Sequence, residues 1–81
     1  MTLQELVEQY RPHLVDESVG VRRSWEEMFK YTFKLYSQAT QLKDFDLDEL
    51  AERLAFADLH RALIDGYIKR WRALLNWANG R

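Results

Sequence analysis

The sequence predicts an all-α protein built as one domain of four helices. Three observations carry this. Apolar residues recur at the helical period along most of the 81 residues. One Pro and three Gly leave little of the turn chemistry that a β fold needs. Two stretches, Thr2 to Glu5 and Asp46 to Glu49, carry the capping-box spacing that opens a helix.

The elements follow in order. Leu3, Leu6, Val7, Tyr10 and Leu14 lie on one helical face behind the Thr2 cap. Pro12 removes a helix donor and disfavours helical geometry at Arg11, so the first helix should stop near Tyr10 or kink and run to Val15. Ser18 is the best N-cap for a second helix from Val19 to Ala39. Trp25, Met28, Phe29, Thr32, Phe33 and Tyr36 form its inner face, with Arg23, Glu27, Lys30, Lys34 and Gln41 opposite.

Asp46 caps the third helix, with Phe45 at the staple position and Leu47, Leu50, Ala51 and Leu54 facing inward. Between Ala55 and Leu63 the stripe loses phase without a Gly or Pro, which places the break before the fourth helix there. Asp58 or Asp65 is the expected cap. The fourth helix is the most apolar: positions 64, 67, 68, 71, 74, 75 and 78 make a wide aromatic stripe, flanked by Lys69, Arg70 and Arg72. It should end near Asn79, with Gly80 as a left-handed C-terminal residue. Trp25, Phe29, Phe33, Tyr36 and Trp71 are expected in the core. Trp77 lies off its stripe, and either covers the first helix or anchors a neighbouring domain. Gly80-Arg81 directly after an apolar helix is expected to be the edge of a domain cut from a longer protein, although a natural terminus would read the same.

Composition bounds the chemistry. At 47% hydrophobic and 31% charged the chain is not of the disordered class. Without cysteine there is no disulfide scaffold and no thiolate metal site, and the expected setting is cytoplasmic. No apolar run reaches membrane-spanning length. His13 and His60 have no ligand spacing around them, Ser18, Ser24 and Ser37 have no nucleophile elbow, and no Gly-rich phosphate loop occurs. No catalytic centre, metal or cofactor is expected in this chain.

Net charge is −1, from 12 Lys+Arg against 13 Asp+Glu, which argues against gripping a polyanion by bulk charge. Any such role must come from distribution. The acids gather at Asp16-Glu17 and between Asp44 and Glu52. The bases gather at Arg22-Arg23, Lys30, Lys34 and Lys69 to Arg72. One reading is a solvated helix surface, in which Lys30 and Lys34 pair with Glu26, Glu27 or Gln38. The other is a phosphate-contacting surface made by the second and fourth helices together.

The order of features resembles the N-terminal core-binding domain of tyrosine recombinases, particularly phage and prophage integrases. Thr2-Leu3-Gln4-Glu5-Leu6-Val7-Glu8-Gln9-Tyr10 is similar to that family's first helix. Ser18-Val19-Gly20-Val21-Arg22-Arg23-Ser24-Trp25 sits where the family has a Ser-x-x-Thr turn. Phe45-Asp46-Leu47-Asp48-Glu49-Leu50 resembles the Ile-Thr-x-x-Asp-Ile start of the third helix. Trp71-Arg72-Ala73-Leu74-Leu75-Asn76-Trp77-Ala78 resembles the closing Leu-x-x-Leu-Phe-x-Trp-Ala. Two positions depart. Val21 replaces the family's Thr, so a phosphate-binding hydroxyl is missing there, and Leu63-Ile64-Asp65-Gly66 replaces the common Thr-x-Asn-Arg.

The resemblance implies a compact orthogonal bundle of the SAM-like type. It implies a DNA-binding module that clamps double-stranded core-site DNA for a separate catalytic domain during integration and recombination. The implied partners are duplex DNA, that catalytic domain and other protomers at synapsis, with the isolated chain a monomer. The tyrosine nucleophile would lie in the catalytic domain, so Tyr10, Tyr31, Tyr36 and Tyr67 are not candidates. The expected DNA-contacting residues are Ser18, Arg22, Arg23, Lys30 and Lys34 of the second helix region, and Lys69, Arg70 and Arg72 of the fourth helix. The alternative is a helical protein–protein interaction module without nucleic acid, anchored on Trp77 and Tyr31.

Overall fold

The protein is all-α. The computed structural model describes residues 1–80, and four α-helices run through them: α1 (Leu3–Tyr10), α2 (Val19–Leu35), α3 (Leu47–Phe56) and α4 (Arg61–Asn79). Short 3₁₀ turns cover Arg11–Leu14 and Leu42–Asp44. The backbone divides into two compact units, residues 1–44 and Phe45 onward.

In the first unit, α1 is fixed at its start. Thr2 Oγ1 accepts from the Glu5 amide at 3.2 Å, and the Glu5 carboxylate accepts from the Thr2 amide at 3.0 Å, completing the expected capping box. The two earlier amides of the first turn find partners far along the chain. Leu3 N–H donates to the Thr40 carbonyl at 2.9 Å and Gln4 N–H to the Gln38 carbonyl at 3.1 Å. Thr2 and Gln41 form an isolated antiparallel bridge beside them. Amides left open at a helix start must be paired or hydrated, and here backbone carbonyls pair them.

That pairing corrects the expected length of the second helix. It ends at Leu35 rather than Ala39, because Tyr36 turns extended (φ −130°, ψ 143°) and the following residues leave the helix to reach α1. Ser18 caps α2 as expected, its Oγ accepting from the Val21 amide at 3.3 Å. Pro12 opens the 3₁₀ turn that follows α1, so the first helix stops at Tyr10. Leu3, Leu6, Val7, Leu14, Met28, Phe29 and Tyr36 are buried, with Thr32 satisfied by donating from Oγ1 to the Met28 carbonyl at 2.8 Å. Trp25 and Phe33, expected in the core, are only half-buried. Trp25 lies between two other rings, 5.2 Å from Tyr10 and 5.9 Å from Phe29.

In the second unit α3 packs on α4, and Leu50, Leu54, Ile64, Tyr67, Trp71 and Leu74 are buried. Phe45 is buried too, its ring edge-on to Trp71 with centroids 5.0 Å apart. Asp46 caps α3 through the Asp48 amide at 2.8 Å. Glu49 does not complete a capping box there; its carboxylate is drawn instead to Arg53 one turn on.

The break between α3 and α4 falls where the stripe loses phase, but its chemistry differs from expectation. Asp58 caps nothing: it takes the left-handed conformation (φ 62°) as the residue that closes α3. Its N–H donates to the Ala55 carbonyl at 3.0 Å, and Leu59 N–H donates to the Leu54 carbonyl at 3.3 Å. These are the two bonds of a Schellman closure, with Asp in the place glycine usually takes. The cap of α4 is His60, whose Nδ1 accepts from the Ala62 amide at 3.1 Å; Asp65 lies inside the helix. At the far end Gly80 is not left-handed either. Its φ of −84° and its N–H bond to the Asn76 carbonyl at 3.0 Å prolong the helical pattern.

Candidate nucleic-acid interface

The expected contact residues of α2 gather on its outward side. At 100° per residue, Lys30 and Lys34 fall within about 20° of Arg23, opposite the buried Met28 and Thr32. All three cations are exposed. The row spans roughly 16 Å along the helix axis.

Of the two acids beside this row, Glu27 stands exposed within it and Glu26 is engaged. Glu26 is held by Arg11, whose Nε and Nη2 donate to its two carboxylate oxygens at 3.1 and 3.0 Å. Arg11 also reaches Glu8 at 2.7 Å and lies 5.9 Å from the centre of the Phe29 ring. Lys34 turns to Tyr31, its ammonium 5.2 Å from the ring centre. Among the described residues Arg22, Arg23 and Lys30 form no ion pair.

Arg22 and Arg23 also line a shallow groove of about 470 Å³ at the start of α2. Its floor is apolar: Leu14, Val15 and Val19, the last two 65% and 61% exposed. Arg11 and Glu26 close one side. Three arginines against one glutamate leave this groove with a formal charge of +2. Ser18 stands exposed next to it at the N-terminus of α2. Its oxygen is committed as the cap, while its hydroxyl hydrogen is open for donation. The N-terminus of a helix adds partial positive charge to that of the arginines. Arg11 and the two valines were not singled out in the sequence; the turn imposed by Pro12 brings them to this place.

The α4 residues are less gathered. Lys69 and Arg72 are exposed, and Lys69 points away from the buried stripe of Tyr67, Trp71 and Leu74. Arg70 is half-buried and stands about 160° around the helix from Arg72, so these three cannot meet one flat surface together. Trp77 and Tyr31, the anchors of the alternative reading, are both half-buried. The largest exposed aromatic is Phe56 at the end of α3.

Other chemistry finds little footing. His13 is exposed and stacks on Tyr10 at 5.6 Å. Among the described residues no group of three or more His, Cys, Asp or Glu could hold a metal ion, and no helix is long and apolar enough to cross a membrane. The Glu5 carboxyl is held below the ordinary glutamate value by the Thr2 amide first and the Thr2 hydroxyl second. Comparison with family models, curated proteins and solved structures finds no match.

Proposed function

We propose that this chain is a DNA-binding module of the core-binding type found in phage and prophage tyrosine recombinases. Its role is to hold core-site duplex for a catalytic domain that carries the strand-breaking Arg, His and Tyr, in a bacterial cytoplasm. One observation supports it above the rest. Among the described residues no ion pair engages the cations of α2, while Arg11 holds Glu26 and Lys34 rests on an aromatic ring. Surface cations with no local purpose, aligned on one side of a helix, suit phosphate oxygens.

Ser18, Arg22 and Arg23 supply contacts at the helix start, and Lys30 and Lys34 extend them along the backbone. Lys69, Arg70 and Arg72 supply a second, weaker set. With net charge −1 the affinity is low and depends strongly on salt. Contacts of this kind position the protein and read little sequence.

The test is titration of a labelled duplex at several salt concentrations, with the Arg23→Ala, Lys30→Ala, Lys34→Ala triple variant beside the parent. Each phosphate contact contributes about 0.9 to the slope of log affinity against log salt, so the variant should lose roughly 2.7. An unchanged slope and affinity would remove the α2 surface from the interface.

A further inference from the structure

The groove at the start of α2 joins two features that a phosphate surface does not need together. Val15 and Val19 are the most exposed large apolar side chains of the first unit, and both lie on the groove floor beside the buried Leu14. Single exposed valines are ordinary; two of them lining one concave surface mark a place for an apolar group. Phosphate oxygens gain nothing from such a floor.

The helix period accounts for the arrangement. Val19, Arg22, Arg23 and Glu26 follow the i, i+3, i+4, i+7 spacing and so share one face of α2. The Pro12 turn brings Arg11, Leu14 and Val15 against that face. Arg11 and Glu26 neutralise one another through their paired hydrogen bonds. Arg22 and Arg23 form no ion pair among the described residues, so the formal charge of +2 on the groove is theirs. Asp16 and Glu17, on the turn between the two valines, are exposed and are not part of its lining.

We infer that this groove docks a short acidic segment of a partner protein, which sets an apolar side chain on Val15 and Val19 and carboxylates on Arg22 and Arg23. The sign of the charge selects the occupant: three arginines against one glutamate favour acids and repel a basic or neutral-polar segment. Guanidinium forks match carboxylates in pairs of hydrogen bonds. An apolar centre with a charged rim is the anatomy of a protein interface, and a hollow of about 470 Å³ takes a few side chains rather than a folded surface. The inference does not rest on DNA binding. It bears on it, because segment and duplex both call on Arg22 and Arg23 and therefore exclude one another.

The probe is a labelled peptide of about twelve residues with two adjacent leucines flanked on each side by aspartates, titrated by anisotropy against the 81-residue protein. One small anchor site gives a Kd on the order of 0.1 mM. A peptide of equal charge with serines in place of the leucines should bind roughly tenfold more weakly, and the Val15→Ser, Val19→Ser double variant should lose about as much. Both valines are exposed, so that variant should keep the parent's helical spectrum and melting. Arg22→Ala with Arg23→Ala should weaken binding more than about tenfold and flatten its salt dependence. Phe56→Ser removes an exposed apolar side chain from the second unit and should leave binding intact.

No binding up to about 1 mM overturns the inference. A serine peptide that binds as tightly as the leucine peptide, or a valine variant that keeps its affinity, overturns it too, since charge alone would then be at work. Equal weakening by Phe56→Ser does the same. If the valine variant weakens a duplex as much as it weakens the peptide, the groove belongs to nucleic acid and the inference falls. Peptide binding in a protein that binds no duplex upholds the inference and removes the DNA reading instead.

Discussion

Arg11 clasps both carboxylate oxygens of Glu26, a residue fifteen positions further along the chain, at 3.1 and 3.0 Å. The pair is about half exposed, so its net contribution to stability is small. Its effect on the surface potential is larger, because Glu26 lies on the same side of α2 as Arg22 and Arg23. Arg11→Ala should therefore lower stability by under about 1 kcal/mol. The same change should weaken duplex binding roughly three- to tenfold, because a bare carboxylate then faces the phosphates. Glu26→Gln should act in the opposite direction and raise affinity. Anisotropy titrations of the two variants at one low salt concentration separate these outcomes. Equal losses in both would show that the pair serves folding alone.

Trp71 is fully buried and meets Phe45 edge to face. A large side chain so placed leaves a cavity that neighbours cannot close. Trp71→Ala should cost roughly 3–5 kcal/mol, close to the whole stability of a domain this size. Urea unfolding followed by circular dichroism would show a collapsed midpoint or no transition at all. Near-native unfolding would mean that α4 is not the centre of the second unit's core.

The helix faces and several starts were legible because they depend on nearby residues. Thr2, Ser18 and Asp46 act as caps, and Leu50, Leu54, Ile64, Tyr67, Trp71 and Leu74 follow a period that any window of two turns reveals. The end of α2 was not legible in the same way. Nothing in Tyr36-Ser37-Gln38-Ala39 forbids helix; the segment leaves it because the amides of Leu3 and Gln4 need its carbonyls. That need is thirty-odd residues distant in sequence and exists only after folding. The break between α3 and α4 was legible, but its cap was missed for a subtler reason. Asp is a common helix start, and its tolerance of left-handed geometry at a helix end competes with that role.

The candidate interface divides along the same line. The row Arg23, Lys30 and Lys34 could be read from spacing, since one helix sets it. The neutralisation of Glu26 could not, because its partner lies across the Pro12 turn. Phe56 did leave a trace. It falls out of phase with Leu50 and Leu54, and a large apolar residue off its stripe faces outward unless something else covers it.

Acid should loosen the start of α1. The Glu5 carboxylate is held below the ordinary glutamate value, first by the Thr2 amide and then by the Thr2 hydroxyl. A depressed folded-state value means that the ionised form favours the folded cap. The contribution is therefore present at neutral pH and is lost as pH falls through the folded Glu5 value. Side-chain carboxyl resonances followed through an acid titration should place the Glu5 midpoint below that of an unfolded glutamate, and Thr2→Ala should raise it. A parent midpoint no lower than that of an unfolded glutamate would show that the capping box does not persist in solution.

His60 caps α4 through Nδ1, accepting from the Ala62 amide at 3.1 Å. Imidazole is an unusual group at this position. It caps only through an unprotonated Nδ1, and its ring is exposed here and adds no burial. Serine places a compact oxygen where the first-turn amides of Ala62 and Leu63 can reach it. His60→Ser should therefore raise stability by about 0.5–1 kcal/mol. Substitution by alanine, which has no acceptor, should lower it. The serine variant leaves the Asp58 closure of α3 untouched, because those bonds use backbone atoms only. Thermal melts of the parent, serine and alanine proteins at neutral pH give the order directly. If the parent and alanine proteins melt together, the Nδ1 contact contributes nothing to holding this end of α4.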